Sequence, residues 1–148
     1  MFLIGLLCLL LAGEAGAACS VSATGVNFGA YDVFVASPSD STGTVTVTCD
    51  QAPPVDVVIA IGSSGTSGGF NPRQMRSASS PDRLNYNLFV NAGRSTVWGD
   101  GAAGTSTVFL KNVVKNRPVL TTIYGRIPPG QDVSVGSYSD SLTVTITP

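Results

Sequence analysis

Residues 44–49 read Thr-Val-Thr-Val-Thr-Cys. Successive side chains of an extended chain point to opposite faces, so Val45, Val47 and Cys49 share one face and the three threonines the other. This is the pattern of a strand with one face in an apolar core and one in water, written in β-branched residues that fit a pleated surface. The same period of two recurs at Val55, Val57, Ile59 and Ile61; at Leu84, Tyr86, Leu88 and Val90, with Asn85, Asn87 and Asn91 opposite; and at Leu142, Val144 and Ile146 among threonines. Less regular runs at 21–28, 105–114 and 120–127 hold enough Val, Thr, Phe and Ile to be strands too. About seven strands are therefore expected. They are separated by turn-forming stretches at Ser37-Pro38, Ala52-Pro53-Pro54, 62–69, 79–82, 99–104 and Pro128-Pro129-Gly130. No linker divides the chain and nothing repeats at a fixed period. The expected fold is one all-β, immunoglobulin-like antiparallel sandwich, with Val47, Tyr86, Leu88 and Val144 facing inward.

Composition excludes several functions. Only 11% of the 148 residues are charged, against about 25% in an ordinary soluble domain, and 17 Gly and 9 Pro argue against long surface helices. Lys and Arg number 8 and Asp and Glu 9, with no clustering of sign, so the basic footprint that nucleic acid requires is missing. The chain has no His, which removes every mechanism built on an imidazole base, nucleophile or metal ligand.

Residues 2–12 are almost entirely apolar, about half the length of a membrane-spanning helix and right for the core of a signal peptide. Ala15-Gly16-Ala17 then supplies small residues for cleavage after Ala17. The reading is a signal peptide over 1–17, a domain over 18–148, and an exported chain that does not span a membrane. Cleavage removes Cys8 and leaves Cys19 and Cys49. In an oxidising compartment a disulfide is the default for an isolated pair, and closing its ring would contribute about 3 to 4 kcal/mol. The rival, a two-ligand metal site, lacks further Cys or any His to complete it. Cleavage also removes Glu14, so 8 acidic residues balance 8 basic ones and the processed chain is formally neutral, a surface suited to packing against other protein.

Two glycine motifs invite a catalytic reading. Gly65-Thr66-Ser67-Gly68-Gly69 fits the serine-hydrolase elbow by letter, but that serine needs a His base and a following helix. Gly99-Asp100-Gly101-Ala102-Ala103-Gly104 fits the dinucleotide fingerprint, but a β-branched, strand-like run follows instead of a helix. Both read as turns. The aspartates are scattered singly near turns. Arg73, Arg76 and Arg83 surround a loop, as a polyanion contact or as an ordinary solvated face. Trp98 is either a surface platform for stacking a sugar or a packing residue at a strand end. No catalytic residue, cofactor, metal or small-molecule substrate is expected, and the chain is not expected to be an enzyme.

The wording of the strands carries a further message. Ala18-Cys19-Ser20-Val21 with Val26-Asn27-Phe28-Gly29 comes first, followed by Gly43 to Cys49 and Leu84-Asn85-Tyr86-Asn87-Leu88. Val97-Trp98-Gly99-Asp100-Gly101, Tyr124-Gly125-Arg126-Ile127-Pro128 and Gly136-Ser137-Tyr138-Ser139-Asp140 complete the series. In this order, over nearly all of 18–148, the chain resembles the spore coat protein U domain family. The resemblance implies a pilin-like sandwich lacking one strand, carried by subunits of archaic chaperone-usher pili and by coat proteins. A periplasmic chaperone lends the strand, an outer-membrane usher assembles the fibre, and the amino-terminal extension of another subunit later replaces the lent strand. On this reading the strand of Leu142, Val144 and Ile146 offers the edge beside which a partner lies. One departure is expected to matter: cleavage after Ala17 leaves only Ala18 before Cys19, so the processed chain would accept a strand without donating one, as fits the tip or an end of a pilus. Two other expectations stand beside this one: a self-sufficient secreted coat protein, and a carbohydrate- or surface-binding module using Trp98.

Overall fold

The computed structural model describes residues 2–12 and 19–148. The cleavage site expected after Ala17 lies outside the described residues. The described residues form ten strands: β1 (Phe2–Ala12), β2 (Cys19–Thr24), β3 (Asn27–Asp32), β4 (Ser39–Cys49), β5 (Val55–Ile61), β6 (Arg73–Ser77), β7 (Arg83–Phe89), β8 (Val108–Val113), β9 (Val119–Ile127) and β10 (Gly136–Thr147). Among the described residues there is no helix long and apolar enough to cross a membrane.

The strands make two layers. One runs β2-β4-β9-β7, antiparallel throughout. In the other, β1 lies between β3 and β10, antiparallel to the first and parallel to the second. The far edge of β10 is shared: β6 pairs it at Tyr138 and Ser139, and β5, with β8 beyond, pairs it from Val144 to Thr147. Because β6 also pairs β7, the two layers are joined through one hydrogen-bonded corner.

The alternating residues form the core. Val45, Val47, Cys49, Val57, Ile59, Ile61, Leu84, Tyr86, Leu88, Leu142, Val144 and Ile146 are all buried. Each lies on the apolar side of its run, as a sheet with one wet face requires.

The structure corrects the element boundaries in two places. The run 21–28 is two strands in different layers: β2 pairs β4, the chain crosses at Gly25-Val26, and β3 pairs β1. Two glycines make room for the crossing. A Cβ built on Gly125 would stand 2.7 Å from Phe28 Cζ and 2.9 Å from Val26 Cγ1, and one on Gly43 only 2.6 Å from the Thr24 carbonyl. The second correction is β6, Arg-Gln-Met-Arg-Ser, whose inward row is Arg73, Met75 and Ser77. With two of three inward residues polar, no apolar alternation marks it.

Candidate functional site

The edge of β10 that faces away from β5 and β6 carries an unbroken ladder of ten pairs, from Leu3 opposite Gly136 to Ala12 opposite Thr145. On its other side β1 pairs β3 from Phe2 opposite Asp32 to Leu6 opposite Asn27, with a register shift at Gly5 and Leu6. Residues 2–12 thus fill a slot one strand wide, bordered along about 33 Å by β10 and, over Phe2 to Leu6, by β3 on the other side. The three residues singled out on the last strand, Leu142, Val144 and Ile146, point into the core; Leu142 and Val144 border the slot, opposite Leu9 and Leu11, and Val144 and Ile146 pair β5 on the far edge.

The inward row of β10 is Tyr138, Asp140, Leu142, Val144 and Ile146. Asp140 is the exception in an apolar row, and it is held by four donors. Ser64 Oγ at 2.7 Å and Tyr86 Oη at 2.5 Å donate to Oδ2, and the Thr66 amide and hydroxyl, each at 3.1 Å, donate to Oδ1. These match the four acceptor sites of a carboxylate, so its burial is compensated. Burial first, and the neighbouring Asp140 carboxylate second, push the Tyr86 phenol far above its ordinary range, so it remains a donor. The effect is to tie the glycine-rich 62–69 loop to the middle of β10. That loop also completes the edge that β5 and β6 leave open: the Gly65 amide donates to the Ser141 carbonyl and the Gly62 amide to that of Thr143.

Arg73, expected on a loop face, is instead fully buried in the gap between β5 and β6. Nη1 donates to Asn87 Oδ1 at 3.0 Å, and Nη2 lies 3.2, 2.8 and 2.8 Å from the carbonyls of Ile61, Gly62 and Trp98. Its guanidinium also stands 5.4 Å from the Phe70 ring centroid. Burial lowers its pKa to about 10, which leaves it charged at neutral pH. The reason for its position is a shortage of backbone donors where two strands share one edge; the arginine fork supplies them. Arg76 and Arg83 are on the surface, so the three do not form one cationic face.

Trp98 also needs correction. It is fully buried and donates from Nε1 to the Ile59 carbonyl at 3.1 Å, so it offers no surface for a sugar or other ligand. The indole closes the core over β5, with its one polar atom paired. The glycine motifs are turns. Ser67 Oγ donates to the Pro72 carbonyl at 3.0 Å, and Thr105 Oγ1 to that of Ala102 at 2.7 Å within the loop that brings Trp98 beside Ser106.

Cys19 and Cys49 are directly opposed on β2 and β4, their Cα atoms 3.9 Å apart, and are joined by a disulfide. The bond pins the edge strand β2 at its first residue, and the two-ligand metal reading falls. Two features of the slot had no signal in the strand alternation: its filling by residues 2–12, and the buried polar groups beside it. The aspartate in the otherwise apolar row Tyr138 to Ile146 is the one mark by which the Asp140 cluster stands out.

Comparison with known proteins agrees with this geometry. The chain matches the Spore Coat Protein U domain over residues 7–145, a span that starts inside β1 and ends inside β10. It is 33% identical over 144 residues to Protein U of Myxococcus xanthus, covering 89% of this chain and 78% of that protein. Among solved structures it is similar to a chain of the chaperone-tip adhesion subunit pre-assembly complex from archaic chaperone-usher Csu pili of Acinetobacter baumannii. That likeness has a TM-score of 0.56 at 20% identity and covers 86% of this chain and 38% of the other. The minor tip subunit of the Hda pilus of E. coli gives a TM-score of 0.42 at 18% identity, with 85% and 78% covered.

Proposed function

Since the chain belongs to the Spore Coat Protein U domain family, we propose that it is a non-catalytic structural subunit of a surface pilus or coat that accepts a strand from a protein partner. The observation that carries the reading is the ten-pair ladder on β10, made by a segment whose sequence is that of an export signal. Removal of residues 1–17 during export would leave the facing edges of β3 and β10 without partners. Backbone groups that can reach neither water nor another strand destabilise the fold by several kcal/mol in total, on the order of 1 to 3 kcal/mol each. An incoming strand restores these bonds and covers the core.

In this reading a periplasmic chaperone supplies the strand in transit, an outer-membrane usher receives the subunit, and another subunit's strand takes over at the cell surface. The disulfide suits passage through an oxidising compartment.

The test is to produce residues 18–148 with and without a strand peptide and to measure melting. A chain that is unstable or oligomeric alone, and whose Tm rises with peptide concentration, is the expected result, because a ligand of the folded state alone stabilises it by mass action. A stable monomer indifferent to the peptide would overturn the proposal. Gold label confined to fibre ends would add the terminal position; even labelling would make the chain an internal subunit.

A second reading rests on the same slot. If residues 2–12 stay attached, the chain closes its own sandwich and is a self-sufficient coat protein. Intact mass of the secreted protein separates the two: a chain starting at Ala18 supports the strand-accepting subunit, and one retaining residues 2–12 supports the closed coat protein.

A further inference from the structure

Resting on the strand-accepting reading, we propose that the exposed apolar residues Phe34, Val35 and Val135 extend the slot, receiving an apolar side chain of the strand-donating partner where its chain leaves the slot. Among the described residues six large hydrophobic side chains are exposed, and these three lie at one end of the slot. The register places them there. Phe2 is opposite Asp32 and Leu3 opposite Gly136, so the slot opens between the last residue of β3 and the first of β10. Val33 to Val35 continue directly from Asp32, and Val135 directly precedes Gly136. Two strand spacings, about 10 Å, separate the two sides of this mouth. The other three, Phe109, Val114 and Leu120, lie on or just after β8 and on β9, which do not border the slot.

Phe34 is 81% exposed because the turn holds it out. The Phe34 amide donates to Asp32 Oδ1 at 2.9 Å, and the Val35 amide to the Asp32 carbonyl at 3.2 Å. Val135 is 55% exposed across the mouth. Beside the turn is a hollow of about 130 Å³, lined by Ala30, Tyr31, Val35 and Pro38 with Asp32, Ser37 and Ser39 at its polar side, large enough for one side chain. Residues 33–39 carry no charge. A turn with exposed apolar side chains beside a hollow, continuous with a strand seat, is the form of an anchor site: backbone bonds in the slot position the chain, and one apolar residue beyond it adds affinity.

The experiment refolds residues 18–148 with a peptide reproducing residues 2–12, with Ser in place of Cys8 and a lysine tag after the final alanine. A second peptide carries Trp-Gly ahead of the phenylalanine. The extended peptide should bind the unaltered protein about tenfold more tightly. That gain should vanish in the double variant Phe34→Ser, Val135→Ser, while the shorter peptide binds both proteins alike. A gain that persists in the variant, or no gain in the unaltered protein, would overturn the anchor. So would weaker binding of the short peptide to the variant, since the two residues would then belong to the slot itself. Phosphatidylcholine vesicles that bind the unaltered complex but not the variant, with no gain from the extension, would assign the patch to a lipid surface instead. Failure of both peptides to bind would bring down the strand-accepting reading itself, and is thereby distinct from failure of the anchor.

Discussion

Arg73 ties separate parts of the chain together, because Nη2 meets the backbone carbonyls of Ile61, Gly62 and Trp98 while Nη1 donates to Asn87. Replacing it with Met keeps much of the volume and removes every donor. Arg73→Met should therefore lower stability by about 3 to 5 kcal/mol, the range for breaking a buried charged network, measured by urea unfolding. Asp40 is the opposite case. It accepts from Arg126 at 2.7 and 3.0 Å on the open face of the sheet, and both side chains are about one-third exposed. The hydrogen bond from Arg126 first, and the charge of Arg94 after it, hold its carboxyl below the ordinary 3.8. A carboxyl lowered on folding contributes stability above its unfolded pKa and loses it as pH falls through the folded one. Asp40→Asn should thus cost no more than about 1 kcal/mol at pH 7. Its unfolding curve should converge on that of the unaltered protein as pH drops below the carboxylate range. At this scale the sequence is a poor guide to position: the period of two puts Arg73 on the face of Met75 and Ser77 and Arg76 on the other, but with two of three inward residues polar no apolar alternation says which face is the core.

At the scale of elements, the layer change between β2 and β3 depends on residues far away in sequence. Gly43 and Gly125 sit on adjacent strands, β4 and β9, and lie beneath the crossing at Val26 and Phe28. Gly125→Ala should destabilise by about 1 to 3 kcal/mol, since its Cβ would meet the buried Phe28 ring and Val26. Gly69→Ala, where nothing stands within 4 Å, should stay within about 0.5 kcal/mol. Thermal melting of the two variants checks the contrast. Strand existence was largely readable from the period of two, because water on one face and core on the other write that period directly. The split at 25–26 was not readable, since Val21 to Phe28 is β-prone throughout and only tertiary packing says which layer each half joins.

The whole molecule is a sandwich whose layers are unequally secured. β4 and β9 pair along nine residues deep in one layer, and the disulfide holds β2 against β4. β3 and the slot edge of β10 depend on whatever occupies the slot, whereas the far edge of β10 is held by β5, β6 and the 62–69 loop. After removal of residues 1–17, amide hydrogen exchange should be fastest among the strands in β3 and on the slot side of β10, and slow in β4 and β9. Adding a strand peptide should bring β3 and β10 back towards the slow group, because local opening follows the hydrogen bonds and burial each segment retains. Uniform exchange with no response to peptide would show that the slot edges need no partner.

The sequence by itself determined that this chain is all-β and which alternating residues face the core, and it made Cys19 and Cys49 the expected pair. These follow from periodicity and composition, properties of neighbours along the chain. Only the tertiary structure decided that β1 fills the slot between β3 and β10, that Arg73 is a core residue and that Trp98 is not a surface platform. Each of these depends on which backbone groups lack partners once the strands have met, a shortage created by long-range pairing and invisible in any local stretch of residues.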